Sequence, residues 1–206
     1  DCGENLYAFE FRAMQLHPVA QATLQEENQY EIKLKTEAPQ MVYIGIPPNK
    51  VVPVVVGPEK QFTISGSCNY AQRSKITDSE FNGQFVLLQN KMNQYKKENN
   101  QLMTKMAKAQ TEEEKQKAIQ SMQALDEERM NLLDSLKIHQ PFLGSILAMN
   151  AYLSFPNNGG DYRNEIEYFG AEFFQFVDFT NETYNKLPLV FDAYFDYSRT
   201  LSGINI

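Results

Sequence analysis

Cysteine and histidine are scarce in this chain, with two of each among 206 residues. A zinc site draws three or four such ligands at a recognisable spacing. Cys2, Cys68, His17 and His139 are too few and too scattered to supply one. There is no CxxC pair, no nucleophile elbow and no glycine-rich phosphate loop. Basic charge is short as well: 19 Lys and Arg against 26 Asp and Glu leave a net charge of −7 and a pI near 5.0. That balance argues against nucleic acid and anionic membrane surfaces as partners, since both call for a basic patch. The longest apolar run, Val51–Val56, is interrupted by Pro53 and is far too short to cross a bilayer. The most informative absence is local. The 57 residues from Gln84 to Gln140 contain neither glycine nor proline, which predicts two long helices folded back on each other.

What is present ahead of that stretch alternates with a period of two. Tyr7, Phe9 and Phe11 share one face of an early strand. Tyr30, Ile32 and Leu34 share one face of another, with Glu31, Lys33 and Lys35 outward. Met41–Ile46 adds a further strand. Val51–Val56 is expected to form a hairpin with Gln61–Ser65 across Gly57-Pro58-Glu59-Lys60, and Pro53 confines it to an edge or a bulge. The result predicted is a small antiparallel β-sheet or sandwich of about five strands.

The pattern then turns helical. Thr77 with Glu80 and Thr111 with Glu114 have capping-box spacing. Between them, Phe81, Phe85, Leu88, Met92, Tyr95, Asn99, Leu102 and Met106 step alternately by four and three, a coiled-coil seam. The return seam is Ala118, Met122, Leu125, Arg129, Leu132 and Leu136. Antiparallel pairing gives partner numbers summing to about 220, so Tyr95 should face Leu125. Arg129 should cover Met92 with its alkyl stem and keep its guanidinium wet. The polar tip, Asn99 to Lys117, should be exposed, whereas Leu87 and Leu133 should pack onto the rest of the domain. Pro141 should open a third helix running to about Leu153, followed by a loop at 156–160. Asp161 should cap a fourth helix with an apolar stripe of Tyr162, Ile166, Phe169 and Phe173. A last helix should start near Leu187-Pro188 and turn Phe191, Tyr194 and Phe195 to the core. The fold class is therefore α+β. A β-rich subdomain spans 1–68 and a helical subdomain spans 69–206, with the hairpin at 77–139 and C-terminal helices at 141–201.

Nothing in these elements announces a reaction, and no catalytic, cofactor-binding or metal-binding residue is expected. His17 precedes Pro18 at a strand end, and His139 suits a helix C-terminus through the dipole. Glu112–Glu114 fall in a first helical turn, and Asp126-Glu127-Glu128 interleave with Lys and Arg on a solvated face. Gly159-Gly160 reads as an ordinary loop. The aromatic group Tyr162, Tyr168, Phe169, Phe173, Phe174, Phe176 and Phe179 is denser than one helix face needs. It reads first as core and second as a docking surface. Asn181-Glu182-Thr183 matches the glycosylation sequon, relevant only in a eukaryotic secretory protein. Asp1-Cys2 without an initiator Met suits a processed or excised chain. Cys2 is open to two readings, the lipid-bearing cysteine of a bacterial lipoprotein or a disulfide partner of Cys68.

Two stretches carry a family resemblance. One is Gly57-Pro58-Glu59-Lys60-Gln61-Phe62-Thr63-Ile64-Ser65-Gly66, followed by Ile76-Thr77-Asp78-Ser79-Glu80-Phe81-Asn82 and the hairpin. The other is Tyr168-Phe169, then Phe173-Phe174-Gln175-Phe176-Val177-Asp178-Phe179, then Leu187-Pro188 and a terminal Tyr/Phe helix. Together, from about Gln29 to Ile206, they resemble the N-terminal domain of exported thioredoxin-like proteins of Bacteroidetes, the TlpA/ResA-like thiol-disulfide oxidoreductases. That family's redox chemistry belongs to a CxxC in a following thioredoxin domain, and neither Cys2 nor Cys68 can inherit it. The resemblance implies a non-catalytic N-terminal domain with no cofactor, located in the periplasm or cell envelope, lipid-anchored if Cys2 is the modified residue. Its partners would be its own downstream thioredoxin-like domain, another protein, or further copies in a homo-oligomer. The alternative is a stand-alone periplasmic holdase or adaptor with a helical arm, and the acidic charge counts against it. An enzyme with an unrecognised site is the third reading.

Overall fold

The computed structural model describes residues 6–12, 15–26, 28–46, 50–57, 59 and 61–202. The fold is α+β, as the patterning predicts, and the chain forms two compact units. One comprises residues 1–86 and 182–188, the other 87–181 and 189–206. Cys2 and the residues 203–206 lie outside the described residues.

The first unit holds the strands β1 (Tyr7–Arg12), β2 (Gln15–Gln21), β3 (Thr23–Glu26), β4 (Gln29–Glu31), β5 (Gln40–Ile46), β6 (Lys50–Val56), β7 (Thr63–Ser65) and β8 (Lys75–Thr77). Four of them make an antiparallel sheet in the order β2-β1-β5-β6, while β3-β4 and β7-β8 are separate two-stranded ribbons. Val42, Val52, Val54 and Val56 form the core cluster, with Leu34, Phe62, Ile64 and Ile76 packed on it. A run of β-branched residues buried on both faces suits such a strand: Val55 is as fully buried as Val54. Pro53 is on the edge strand β6, as its missing N–H requires.

Three expectations are corrected here. The partner of β6 is β5, register Tyr43↔Pro53, rather than Gln61–Ser65. β7 pairs instead with β8, across the boundary expected at 68/69. The alternation from Tyr30 to Leu34 survives as alternating burial, but the ladder stops at Glu31. Periodicity reports which side faces the core and does not guarantee a neighbouring strand. Finally, Thr77 does not cap the first helix, because it is engaged in β8 opposite Thr63. Asp78 adopts φ 61°, and the cap is Ser79, whose Oγ accepts from Asn82 N at 3.0 Å.

That helix, α1 (Glu80–Lys108), brings Asn82 against the sheet edge. Asn82 is 2% exposed. Its Oδ1 accepts from Val55 N at 2.8 Å and its Nδ2 donates to Val55 O at 2.8 Å. One side-chain amide thus stands in for a neighbouring strand and closes the edge at Val55.

In the second unit α1 packs on α2 (Glu112–His139) as the long hairpin. The second capping box is present in full: Thr111 Oγ1 accepts from Glu114 N at 3.2 Å, and Glu114 reaches back to Thr111 N. The register is close to the one predicted. Tyr95 donates to Glu128 at 3.3 Å, with Lys91 2.5 Å from the same carboxylate. Ala118, Met122, Leu125 and Tyr95 are buried, and residues 110–117 at the tip are exposed. Leu133 is buried as expected, but Leu87 is 68% exposed, a correction.

Pro141 opens α3 (Pro141–Ala148), which stops short of Leu153. Residues 142–149 are all buried. Gly144 permits this, since a Cβ there would lie 3.0 Å from Lys137 N in the last turn of α2. The expected loop at 156–160 contains the single turn α4 (Phe155–Asn158). The fourth helix, α5 (Glu165–Glu172), is capped by Asn164 rather than Asp161, through bonds to Ile166 N and Glu167 N. Its buried residue is Tyr168, and Ile166 of the predicted stripe is 48% exposed. The last helix, α6 (Pro188–Ser202), begins where Pro188 predicts, yet it buries Val190 and leaves Tyr194 and Phe195 exposed.

Candidate functional site

The acidic triplet Asp126-Glu127-Glu128 was expected on a solvated face, and Arg129 with a wet guanidinium. Glu127 and Glu128 are exposed, but Asp126 and Arg129 are 6% and 5% exposed, which corrects both expectations. One helical turn apart on α2, they face the segment 152–158. Asp126 Oδ2 accepts from Ser154 N at 2.9 Å, Ser154 Oγ at 2.6 Å and Asn158 Nδ2 at 3.2 Å. Arg129 lies 3.7 Å from Asp126 Oδ1, donates to the Tyr152 carbonyl and stands 5.4 Å from the Tyr95 ring centroid. Burial lowers the Arg129 pKa from its usual value, and the Asp126 carboxylate opposes that shift. Asn157 completes the network, donating to Ile119 O and Ser154 Oγ.

This is a polar staple that fastens the 152–158 segment to α2. Ser154 beside Asp126 has two members of a nucleophilic constellation but lacks the third. The hydroxyl, on a residue 7% exposed, bonds to no histidine among the described residues and is already donating to Asp126 and accepting from Asn157. The sequence did carry a signal that was missed. A charged residue at a seam position needs a buried partner, and Asp126 stands three residues before Arg129, on the same helix face.

Beside the staple runs a groove of about 580 Å³. Gln123, Asp126, Glu127, Met130 and Asn131 of α2 form one wall, and Leu153, Asn157 and Asn158 the other.

The aromatic group forms a continuous layer from interior to surface. Tyr168, 2% exposed, has the rings of Tyr152, Phe155 and Tyr162 at 5.4, 5.7 and 5.3 Å. Phe169 and Phe173 link it to Tyr197, which donates to Gly170 O at 2.7 Å. Phe174 continues to Phe179 and Tyr194, whose rings stack at 6.0 Å. There the layer reaches solvent: Phe179 is 50% and Tyr194 42% exposed, and Phe195, the next residue of α6, is 66% exposed with Arg199 over its ring at 5.8 Å.

The remaining candidates stay apart. His17 is exposed in β2, opposite Glu10, and His139 is the exposed last residue of α2. Glu112–Glu114 are exposed in the first turn of α2. Gly159 is buried against the Phe155 ring, where a Cβ would collide. Asn181 donates to Ser145 Oγ at 3.3 Å. Cys68 is in a disulfide. Among the described residues, no three His, Cys, Asp or Glu side chains gather to hold a metal, and no helix is long and apolar enough to cross a membrane. No protein-family model, curated protein or solved structure matches this chain.

Proposed function

We propose that this chain is the non-catalytic N-terminal part of an exported thiol-disulfide oxidoreductase, acting in docking or self-association. The observation that carries the reading is the aromatic surface at Phe179, Tyr194 and Phe195. Phe179 and Tyr194, stacked on each other and exposed, and the exposed Phe195 that follows on α6 lose apolar hydration when a partner covers them, and aromatic anchors of this kind dominate interface energies. The partner is the thioredoxin-like domain that the family resemblance implies, or a second copy. A disulfide at Cys68 accords with an oxidising compartment such as the periplasm.

Sedimentation velocity tests this, with the chain alone and with the thioredoxin-like domain that this reading expects in the same gene. Association should occur in one of the two samples and weaken in Phe195→Ser, a substitution at an exposed site. A chain that stays monomeric and ignores that domain, or a gene without such a domain, overturns the reading. In a dithiol-coupled insulin reduction assay the chain should give the background rate. Turnover above background would refute the non-catalytic assignment.

A further inference from the structure

The groove along α2 has a chemical bias that the staple creates. Asn157 and Asn158 both line it, and both spend their amide donors inside the protein. Asn157 Nδ2 donates to Ile119 O at 3.1 Å and Ser154 Oγ at 2.9 Å. Asn158 Nδ2 donates to Asp126 Oδ2 at 3.2 Å and Ser154 O at 2.9 Å. These partners fix the amide orientations, so the Oδ1 of each is what remains for a ligand. Arg129 balances Asp126 from behind, whereas Glu127 is met by the Gln123 amide at 3.0 Å and by no cation among the described residues. No Lys or Arg lines the groove, and Met130 and Leu153 supply its apolar part. At the end formed by Asn157, Asn158 and Glu127 a fitting ligand donates hydrogen bonds, carries positive charge and offers an apolar stem, while the exposed Asn131 can serve as donor or acceptor.

We propose that this groove binds an ammonium or guanidinium carried on an alkyl stem, as in a Lys or Arg side chain of a peptide. The head meets Asn157 Oδ1, Asn158 Oδ1 and the Glu127 carboxylate, and the stem lies along Met130 and Leu153. The inference is independent of the aromatic surface, which lies on other residues.

Amide NMR spectra of the isotope-labelled chain, titrated at low salt, test it. The probes are the capped peptides Gly-Lys-Gly and Gly-Arg-Gly, the norleucine counterpart, and putrescine. The Lys or Arg peptide should shift the side-chain amides of Asn157 and Asn158, and norleucine should not. Shifts with putrescine and none with the peptides would identify a free amine as the source of the same chemistry. Glu127→Gln should weaken binding about fivefold, the scale of one partly exposed ion pair. Asp134→Asn, at an exposed acid on the same helix outside the groove, should leave it unchanged. Equal losses in both variants would mean diffuse attraction to an acidic protein and overturn the proposal. Equal shifts with norleucine, or no shifts with any cationic probe, overturn it as well.

Discussion

Removing the Asp126 carboxylate should cost more stability than any exposed acid on this chain can. Asp126→Ala strips three donors of their acceptor: Ser154 N, Ser154 Oγ and Asn158 Nδ2. Asn158 is exposed and the Ser154 hydroxyl can rotate, so water or new partners recover part of that loss. The Ser154 N–H is buried and fixed, and leaving it unpaired costs about 1–3 kcal/mol. The Arg129 guanidinium, 5% exposed, also loses its counter-charge. Breaking a buried ion pair from one side costs about 3–5 kcal/mol. The 3.7 Å separation and the retained bond to Tyr152 O place this pair at the low end. The two penalties overlap, and we expect ~3 kcal/mol in all. Followed by far-UV ellipticity in urea, that shifts the midpoint by about 1.5 M at a slope near 2 kcal/mol/M. Asp126→Asn keeps one acceptor oxygen for Ser154 but loses the charge and sets an amide NH2 in place of the oxygen nearest Arg129, so about 1–2 kcal/mol is expected. Arg129→Met added to Asp126→Ala removes the stranded cation, and the double variant should be more stable than the summed single losses imply, by about 1 kcal/mol. A loss below about 1 kcal/mol for Asp126→Ala, or strict additivity in the pair, would show that the network does not hold this unit together.

Three further outcomes are expected. Burial, and then the Glu128 carboxylate, push the Tyr95 phenol from 10.0 up to about 12. A raised phenol favours the neutral form on folding, so its contribution is complete below pH 10.0 and is lost as pH climbs toward about 12. Tyr95→Phe should flatten that alkaline decline in urea titrations, and an unchanged decline would reject the assignment. Asn82→Ala should leave the N–H and C=O of Val55 unpaired at about 1–3 kcal/mol, read as faster hydrogen exchange at Val55; unaltered exchange there would contradict the edge-closing role. Native protein should resist thiol labelling at Cys68 until reduced, with intact mass rising by about 2 Da if the bond is within the chain. Equal labelling before and after reduction would contradict the disulfide.

Where local chemistry decides, residues announced their roles. Thr111 and Glu114 specify a capped turn wherever the chain goes, and Pro141 and Pro188 open helices because a first-turn N–H is not needed. The two seams gave the hairpin and nearly its register. Thr77 and Asp161 were misread because several adjacent side chains could cap. Strand pairing at β8 removed Thr77 from the competition, and Asn164 won the other. The pairing of β6 with β5 rather than with Gln61–Ser65 is a choice between partners of similar pattern. Period-two spacing reports a face and says nothing about which edge meets which.

The candidate site was legible only in pieces. Asp126, Arg129, Ser154, Asn157 and Asn158 are ordinary residues until the 152–158 segment is laid along α2. By itself the sequence determined the α+β class, the helical hairpin, its capped turn and its polar tip, since these follow from periodicity, capping and the absence of breakers. Only the tertiary structure decided that a charged pair on α2 is buried, that one asparagine closes a sheet edge, and that α6 keeps two aromatics in solvent. Each is a matter of which distant segment supplies a hydrogen bond or withholds cover, and no local pattern encodes that.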